Sequence, residues 1–184
     1  MTGLASKSQL RMSFLRYALF TVPAVLLLGT LSGQLSGSGY GNPWFDALAK
    51  PPTMPPGWVF GVAWTILYIL LGLSLAMVLH AKGAARRPRA LILFVLQLLL
   101  NFAWSPAFFA FHKIDLALSL LAAMIVVTVG MVFVIWRFRV VAALLLYPYL
   151  AWLMFALMLT WQIRTLNPDG PALVSPPPTL NITL

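Results

Sequence analysis

Five stretches of this chain are unbroken apolar runs, and the polar residues crowd into the connections between them. The runs cover about residues 17–35, 58–79, 90–111, 116–136 and 140–163. Each is about 19–24 residues long, and about 20 residues rising ~1.5 Å each cross the ~30 Å hydrocarbon of a bilayer. None shows the two-residue alternation of a barrel strand, so helices are the spans that satisfy the backbone in lipid. The pattern predicts an all-α integral membrane protein, a bundle of five transmembrane helices. Short second, third and fourth connections force neighbouring spans to run antiparallel. The first connection, residues 36–57, is long, and a loop of that length in a compact domain is usually a lid or a binding element.

The first run has a second reading. Its basic start (Lys7, Arg11, Arg16), apolar stretch and small residues also fit a secretory signal, although residues 36–41 lack an A-x-A cleavage pattern. The organisation that follows is a basic lead over residues 1–13, one membrane domain over 14–165, and a proline-rich tail over 166–184, expected to be disordered. Asn181-Ile182-Thr183 in that tail matches the glycosylation acceptor pattern.

Composition strengthens the membrane reading. With 61% hydrophobic and 8% charged residues, the chain has far more apolar surface than a soluble core could hide. The net charge of +9 raises nucleic acid as a partner, but the positions of the charges argue against it. Of the twelve Lys and Arg residues, nine fall on the side of the N-terminus and of the second and fourth connections: Lys7, Arg11, Arg16, Lys82, Arg86, Arg87, Arg89, Arg137 and Arg139. Lys50, Lys113 and Arg164 fall on the other side. This bias predicts a cytoplasmic N-terminus and an outer C-terminus in an energised membrane such as the bacterial cell membrane, with an outer membrane as the alternative.

The chain has no cysteine, which removes disulfides and thiolate chemistry. Its three acidic residues, Asp46, Asp115 and Asp169, lie outside the runs, and no charged residue or histidine sits at mid-membrane depth. Proton relays and ion-coupled transport normally need such residues. His80 and His112 lie at helix ends with no partner at metal-ligand spacing, so no metal site is expected. The polar groups inside the runs are neutral. Gln97, Asn101 and Ser105, spaced by four, share a face, and interhelical bonding explains that stripe as well as ligand contact does. Trp64 and Tyr68 share a face of the second run, Trp104 and Phe108 stand on the third, and Trp152 and Phe155 on the fifth. Trp44 and Trp58 suit an interfacial belt. Such rings fit either a packed aromatic core or the walls of a pocket for a planar, mostly apolar ligand. Gly29, Gly33 and Gly37 recur every fourth residue, a spacing suited to close packing inside the bundle or at a dimer interface; Ala103, Ala107 and Ala110 form a second small-residue strip. Pro51, Pro52, Pro55 and Pro56 stiffen the long loop.

Three separated segments together resemble the TspO/MBR translocator family. They are Trp44 to Leu48 with Lys50-Pro51, Pro55-Pro56, Trp58, Phe60, Trp64-Thr65 and Tyr68; then Gln97-Leu98 with Asn101, Trp104 and Phe108-Phe109; then Pro148 to Trp152 with Phe155-Ala156. The resemblance implies a five-helix bundle, often a homodimer, that binds porphyrins, haem-pathway intermediates, sterols and synthetic ligands of the benzodiazepine-receptor type. It implies no cofactor beyond a porphyrin or haem taken as ligand. Carried over by position, the pocket lining is Phe45, Pro55, Phe60, Trp64, Tyr68, Asn101, Ser105, Phe108, Trp152 and Ala156. Some bacterial members are associated with light-dependent porphyrin breakdown, for which Trp64 and Trp152 stand at the implicated positions. Receptor or translocator, porphyrin-degrading enzyme, and regulatory sensor of haem metabolism or stress all remain open. Lys50 is a candidate partner for a propionate or an interfacial anchor. Where animal members carry a sterol-motif tyrosine, this chain has Trp161, preceded by Thr160, which weakens any expectation of cholesterol specificity.

Overall fold

The computed structural model describes residues 7–170 and 173. Its elements are α1 (Lys7–Leu35), α2 (Pro43–Ala47), α3 (Gly57–His80), α4 (Arg87–Ser105) followed by a π-helical turn (Pro106–Ala110), α5 (Ile114–Trp136), α6 (Val140–Leu144) and α7 (Tyr147–Leu166). Five helical segments are long and apolar enough to span a membrane, with α4 plus its π turn and α6 plus α7 each counting as one. The five expected runs are all present. α1 packs along α3 as the first span of this bundle.

The packing follows the side-chain spacing. On α5 the buried positions are Ile114, Ala117, Leu121, Met124, Thr128, Met131 and Ile135. Their alternating steps of three and four make the seam of a left-handed coiled coil, and α4 and α7 pack near it. α4 answers with Ala90, Phe94, Gln97 and Asn101, again at steps of four and three. α1 turns Thr21, Val25 and Gly29 inward, spaced by four. The α1–α3 crossing is close enough to demand glycine at two places. A Cβ on Gly72 would lie 2.6 Å from the Cα of Val22, and one on Gly29 would strike the ring of Tyr68. The glycine repeat is thus an internal contact at Gly29. Gly33 faces Ser38 of its own loop, and Gly37 is outside the helix in a left-handed turn at φ +60°.

Prolines interrupt two of the spans, and serines from other helices bond backbone carbonyls at or beside the breaks; Pro23 lies within α1 without interrupting it. Pro106 has no N–H to give to Phe102, four residues back, and Ser32 Oγ of α1 donates to the Phe102 carbonyl at 2.7 Å. Pro148 likewise cannot bond Leu144, which is where α6 stops. Two residues before Leu144, Ser74 Oγ of α3 donates to the Ala142 carbonyl at 2.8 Å, beside the break. The fifth run is therefore two helices, not the continuous span of 140–163 that its hydropathy suggests.

The tail also begins differently from expectation. Leu166 closes α7 and Asn167 and Gly170 are buried, so the first residues after 165 are docked. Residues 174–184, with Asn181, lie outside the described residues.

Candidate functional site

The loop between α1 and α3 folds over one end of the bundle as a lid. Asn42 starts its helix α2: the side-chain Oδ1 accepts from the Phe45 N–H at 3.1 Å, and Pro43 takes the first helical position, where no donor is missed. Lys50 ends it. Its Nζ donates to the carbonyls of Phe45 at 2.8 Å and of Asp46 and Leu48 at 3.2 Å, and stands 4.8 Å from the Phe45 ring centre. All three ammonium donors are engaged on the negative end of the short helix. Lys50 is thus a structural cap of the lid.

The lid is fastened to the end of α7. The Asn167 amide grips the backbone of Ala49 from both sides: Oδ1 accepts from its N–H and Nδ2 donates to its carbonyl, each at 2.9 Å. Trp44 Nε1 donates to the Gly170 carbonyl at 2.8 Å, and Thr53 Oγ1 donates to Gln162 Oε1 at 2.7 Å. Trp44 is 5% exposed, stacked on His112 at 4.4 Å and set edge-on to Phe108 at 5.3 Å. It is a core residue of the lid, not the belt residue its interfacial position suggests. Trp58, 70% exposed, does face outward, as does Trp161.

The expected pocket residues fall into two groups. The deeper one stands on α3 and α7. Phe60, Trp64 and Tyr68 occupy one face of α3 at steps of four. Trp152 meets Phe60 edge-on at 5.9 Å and Trp64 edge-on at 6.4 Å, while Trp64 lies over Tyr68 at 5.2 Å. Ala156, one turn beyond Trp152, packs at the margin of the same core. A neutral hydrogen-bond chain closes the bottom of this cluster. Tyr68 Oη donates to Asn101 Oδ1 at 3.1 Å, and Asn101 Nδ2 donates to Tyr149 Oη at 2.8 Å. Gln97 Nε2 donates to the same hydroxyl at 2.7 Å. Tyr149 Oη accepts both amide hydrogens and donates its own to Met124 Sδ at 3.8 Å.

The shallower group belongs to the lid. Phe45 meets Phe108 edge-on at 6.2 Å and Phe109 at 5.3 Å. Pro55 is half-buried, and its carbonyl accepts from Tyr40 Oη at 3.2 Å. Ser105 stands apart from both ring groups: Ser38 Oγ of the loop donates to its hydroxyl at 3.2 Å.

Trp104 joins the two groups. It stacks on Phe108 at 5.3 Å with the planes 9° apart, and it packs against both the bundle core and the lid core. Its Nε1 is buried without an acceptor, as is Gln97 Oε1 without a donor. Neither residue was in the carried-over lining, although Gln97 belongs to the stripe spaced by four and Trp104 lies three residues past Asn101. Asn167 was missed as well; an asparagine just past the last apolar turn was the available signal. Among the described residues no three His, Asp or Glu gather closely enough to hold a metal ion.

Residues 21–166 match the model of the TspO/MBR family. The chain is 36% identical over 132 residues to the tryptophan-rich protein TspO of Chlorobaculum tepidum, covering 68% of this chain and 80% of that one. It is 35% identical over 148 residues to the tryptophan-rich protein TspO of Archaeoglobus fulgidus, covering 80% and 94%. With the translocator protein of Bos taurus it shares 37% over 162 residues, covering 81% and 94%.

Proposed function

The chain belongs to the TspO/MBR family, and from that premise we propose that it is a membrane-embedded receptor or translocator for porphyrins and related flat, mostly apolar ligands. The observation that carries this reading is the ring cluster of Phe60, Trp64, Tyr68 and Trp152, seated on an uncharged chain of amide and phenol hydrogen bonds. Rings that already meet edge to face present the apolar walls a large aromatic disc needs. Two of the unpaired buried polar atoms, Trp104 Nε1 and Gln97 Oε1, supply a donor and an acceptor for a ligand's polar edge. The lid over the same end would then open to admit the ligand and close to shield it. The charge bias supports a cytoplasmic N-terminus, with the lid on the outer side. Association into homodimers, as the family resemblance implies, would use apolar faces such as that of Ile92, Val95 and Leu99, which are exposed.

A second reading, photo-oxidative porphyrin breakdown, draws on the contact between the indoles of Trp64 and Trp152. One titration separates the two. Protoporphyrin IX is added to the purified protein in the dark, tryptophan quenching is followed, and pigment loss is then read under light. Saturable dark quenching, weakened in Trp64→Phe and Trp152→Phe, is the expected result. Absence of saturable quenching in the wild type would overturn the tetrapyrrole reading. Light-driven pigment loss that disappears in the variants while binding persists would establish the enzyme instead.

A further inference from the structure

At the end of the bundle opposite the lid, a groove of about 450 Å³ lies between α1, α3 and the α5–α6 link. That volume is within the range of small-molecule sites. Its wall is mixed in a particular way. Phe14 of α1, Met77 of α3, Phe138 of the link and Val141 of α6 supply apolar surface, and Arg139 and His80 supply polar groups. His80 is held edge-on to Phe14 at 6.4 Å and to Tyr17 at 6.4 Å. It is the last residue of α3, and Arg139 immediately precedes the first residue of α6. The groove therefore sits where apolar helices meet the polar boundary of the membrane.

The charge around it is one-sided. Arg11, Arg16, Lys82, Arg86, Arg87, Arg89, Arg137 and Arg139 all lie at this end, and the chain's three acidic residues are elsewhere. Asp46 is in the lid, Asp115 pairs with Arg164 at 2.7 Å in the first turn of α5, and Asp169 follows α7. No acidic side chain of this protein competes for Arg139, so its counterion must come from outside the chain. The apolar wall decides which one. A free anion would leave Phe14, Phe138 and Val141 uncovered, whereas a phospholipid places a phosphate and acyl methylenes in one molecule.

We propose that this groove is a binding site for an anionic phospholipid, with Arg139 donating to the headgroup phosphate, His80 beside it and the first acyl methylenes lying against Phe14, Phe138 and Val141. Basic pockets between spanning helices recognise such headgroups, and a bare polybasic surface attracts them without a defined site. The site is independent of the aromatic cluster and of its ligand.

The test is a thermal-shift titration of the full chain in detergent at about 0.3 M salt, which screens diffuse attraction beyond a few Å. The additives are phosphatidylglycerol, phosphatidylcholine and soluble glycerol phosphate. Saturable stabilisation by phosphatidylglycerol alone is expected. Arg139→Gln should weaken it about tenfold or more, as the loss of one charge-assisted hydrogen bond implies. Lys82→Gln, at the same end but outside the groove, should change it by less than about twofold. Equal stabilisation by phosphatidylcholine would overturn the proposal, as would glycerol phosphate acting as well as the lipid. An Arg139→Gln protein that titrates like wild type, or a Lys82→Gln protein that loses as much as Arg139→Gln, would also sink it. Because Arg139 is exposed, its substitution leaves the fold intact, and porphyrin quenching by that variant should be unchanged.

Discussion

Replacing Asn167 should loosen the lid without unfolding the bundle. Asn167 is 7% exposed, and its amide is fully used: two bonds to Ala49 and one from Nδ2 to the Ile163 carbonyl at 2.8 Å. Asn167→Ala removes both lid bonds. At about 0.5–1.5 kcal/mol net for each hydrogen bond, the closed lid loses about 1–3 kcal/mol. With a factor of ten for every ~1.4 kcal/mol, the open population rises between about 5-fold and 150-fold. Ala49 is itself exposed, so water can replace part of the loss, which favours the lower half of that range. The direct assay is hydrogen exchange at the Ala49 amide and its neighbours, which reads local opening. Asn167→Asp sharpens the argument. A carboxylate still accepts from the Ala49 N–H but cannot donate, and it sets a charged oxygen against the carbonyls of Ala49 and Ile163. It should open the lid at least as far as alanine does. Exchange at Ala49 within about twofold of wild type in Asn167→Ala would refute the latch, and an Asp variant better protected than wild type would refute the orientation of the amide.

Two further substitutions probe the bundle. Gly72→Ala forces a methyl to 2.6 Å from the Val22 backbone, so the α1–α3 crossing must part and thermal stability should fall by about 1–3 kcal/mol; an unchanged melting temperature would contradict the close crossing. Ser32→Ala leaves the Phe102 carbonyl without its donor and should cost about 0.6 kcal/mol, the average for hydrogen bonds between membrane helices, and at most about 1.7 kcal/mol. Adding Pro106→Ala restores a backbone N–H one turn later, so the double variant should recover part of the loss, and strict additivity in a double-mutant cycle would show that the two residues do not serve the same carbonyl.

The spans were legible because lipid imposes a length and forbids charge, and both constraints are written residue by residue. The breaks within spans were not read, although Pro106 and Pro148 were in view. A hydropathy run continues straight through a proline, and only the carbonyl four residues back records the damage. The ring triplet of α3 was readable from its steps of four, and so was its partner Trp152. Ser105 shares the step of four with Asn101 yet serves Ser38, because α4 yields to a π turn directly after it and that end of the helix faces the loop. Depth was the other blind spot. Trp44 has the composition of an interfacial residue, and it is buried because the lid folds back over it and Gly170 accepts from its indole. Lys50 looked available to a ligand because its acceptors are backbone carbonyls, which carry no mark in the side-chain sequence.

The serines that bond carbonyls at or beside the broken spans have a direction. Ser32 belongs to the first span and serves a carbonyl of the third; Ser74 belongs to the second and serves one of the fifth. Thr21 of the first span likewise donates to the Gly72 carbonyl of the second at 2.8 Å. In each case the donor is translated before its acceptor. As the ribosome delivers the chain N-terminus first, the Phe102 and Ala142 carbonyls enter the bilayer after the hydroxyls that serve them. An exposed carbonyl in hydrocarbon costs several kcal/mol, so this order spares the nascent protein a costly intermediate when the third and fifth spans insert.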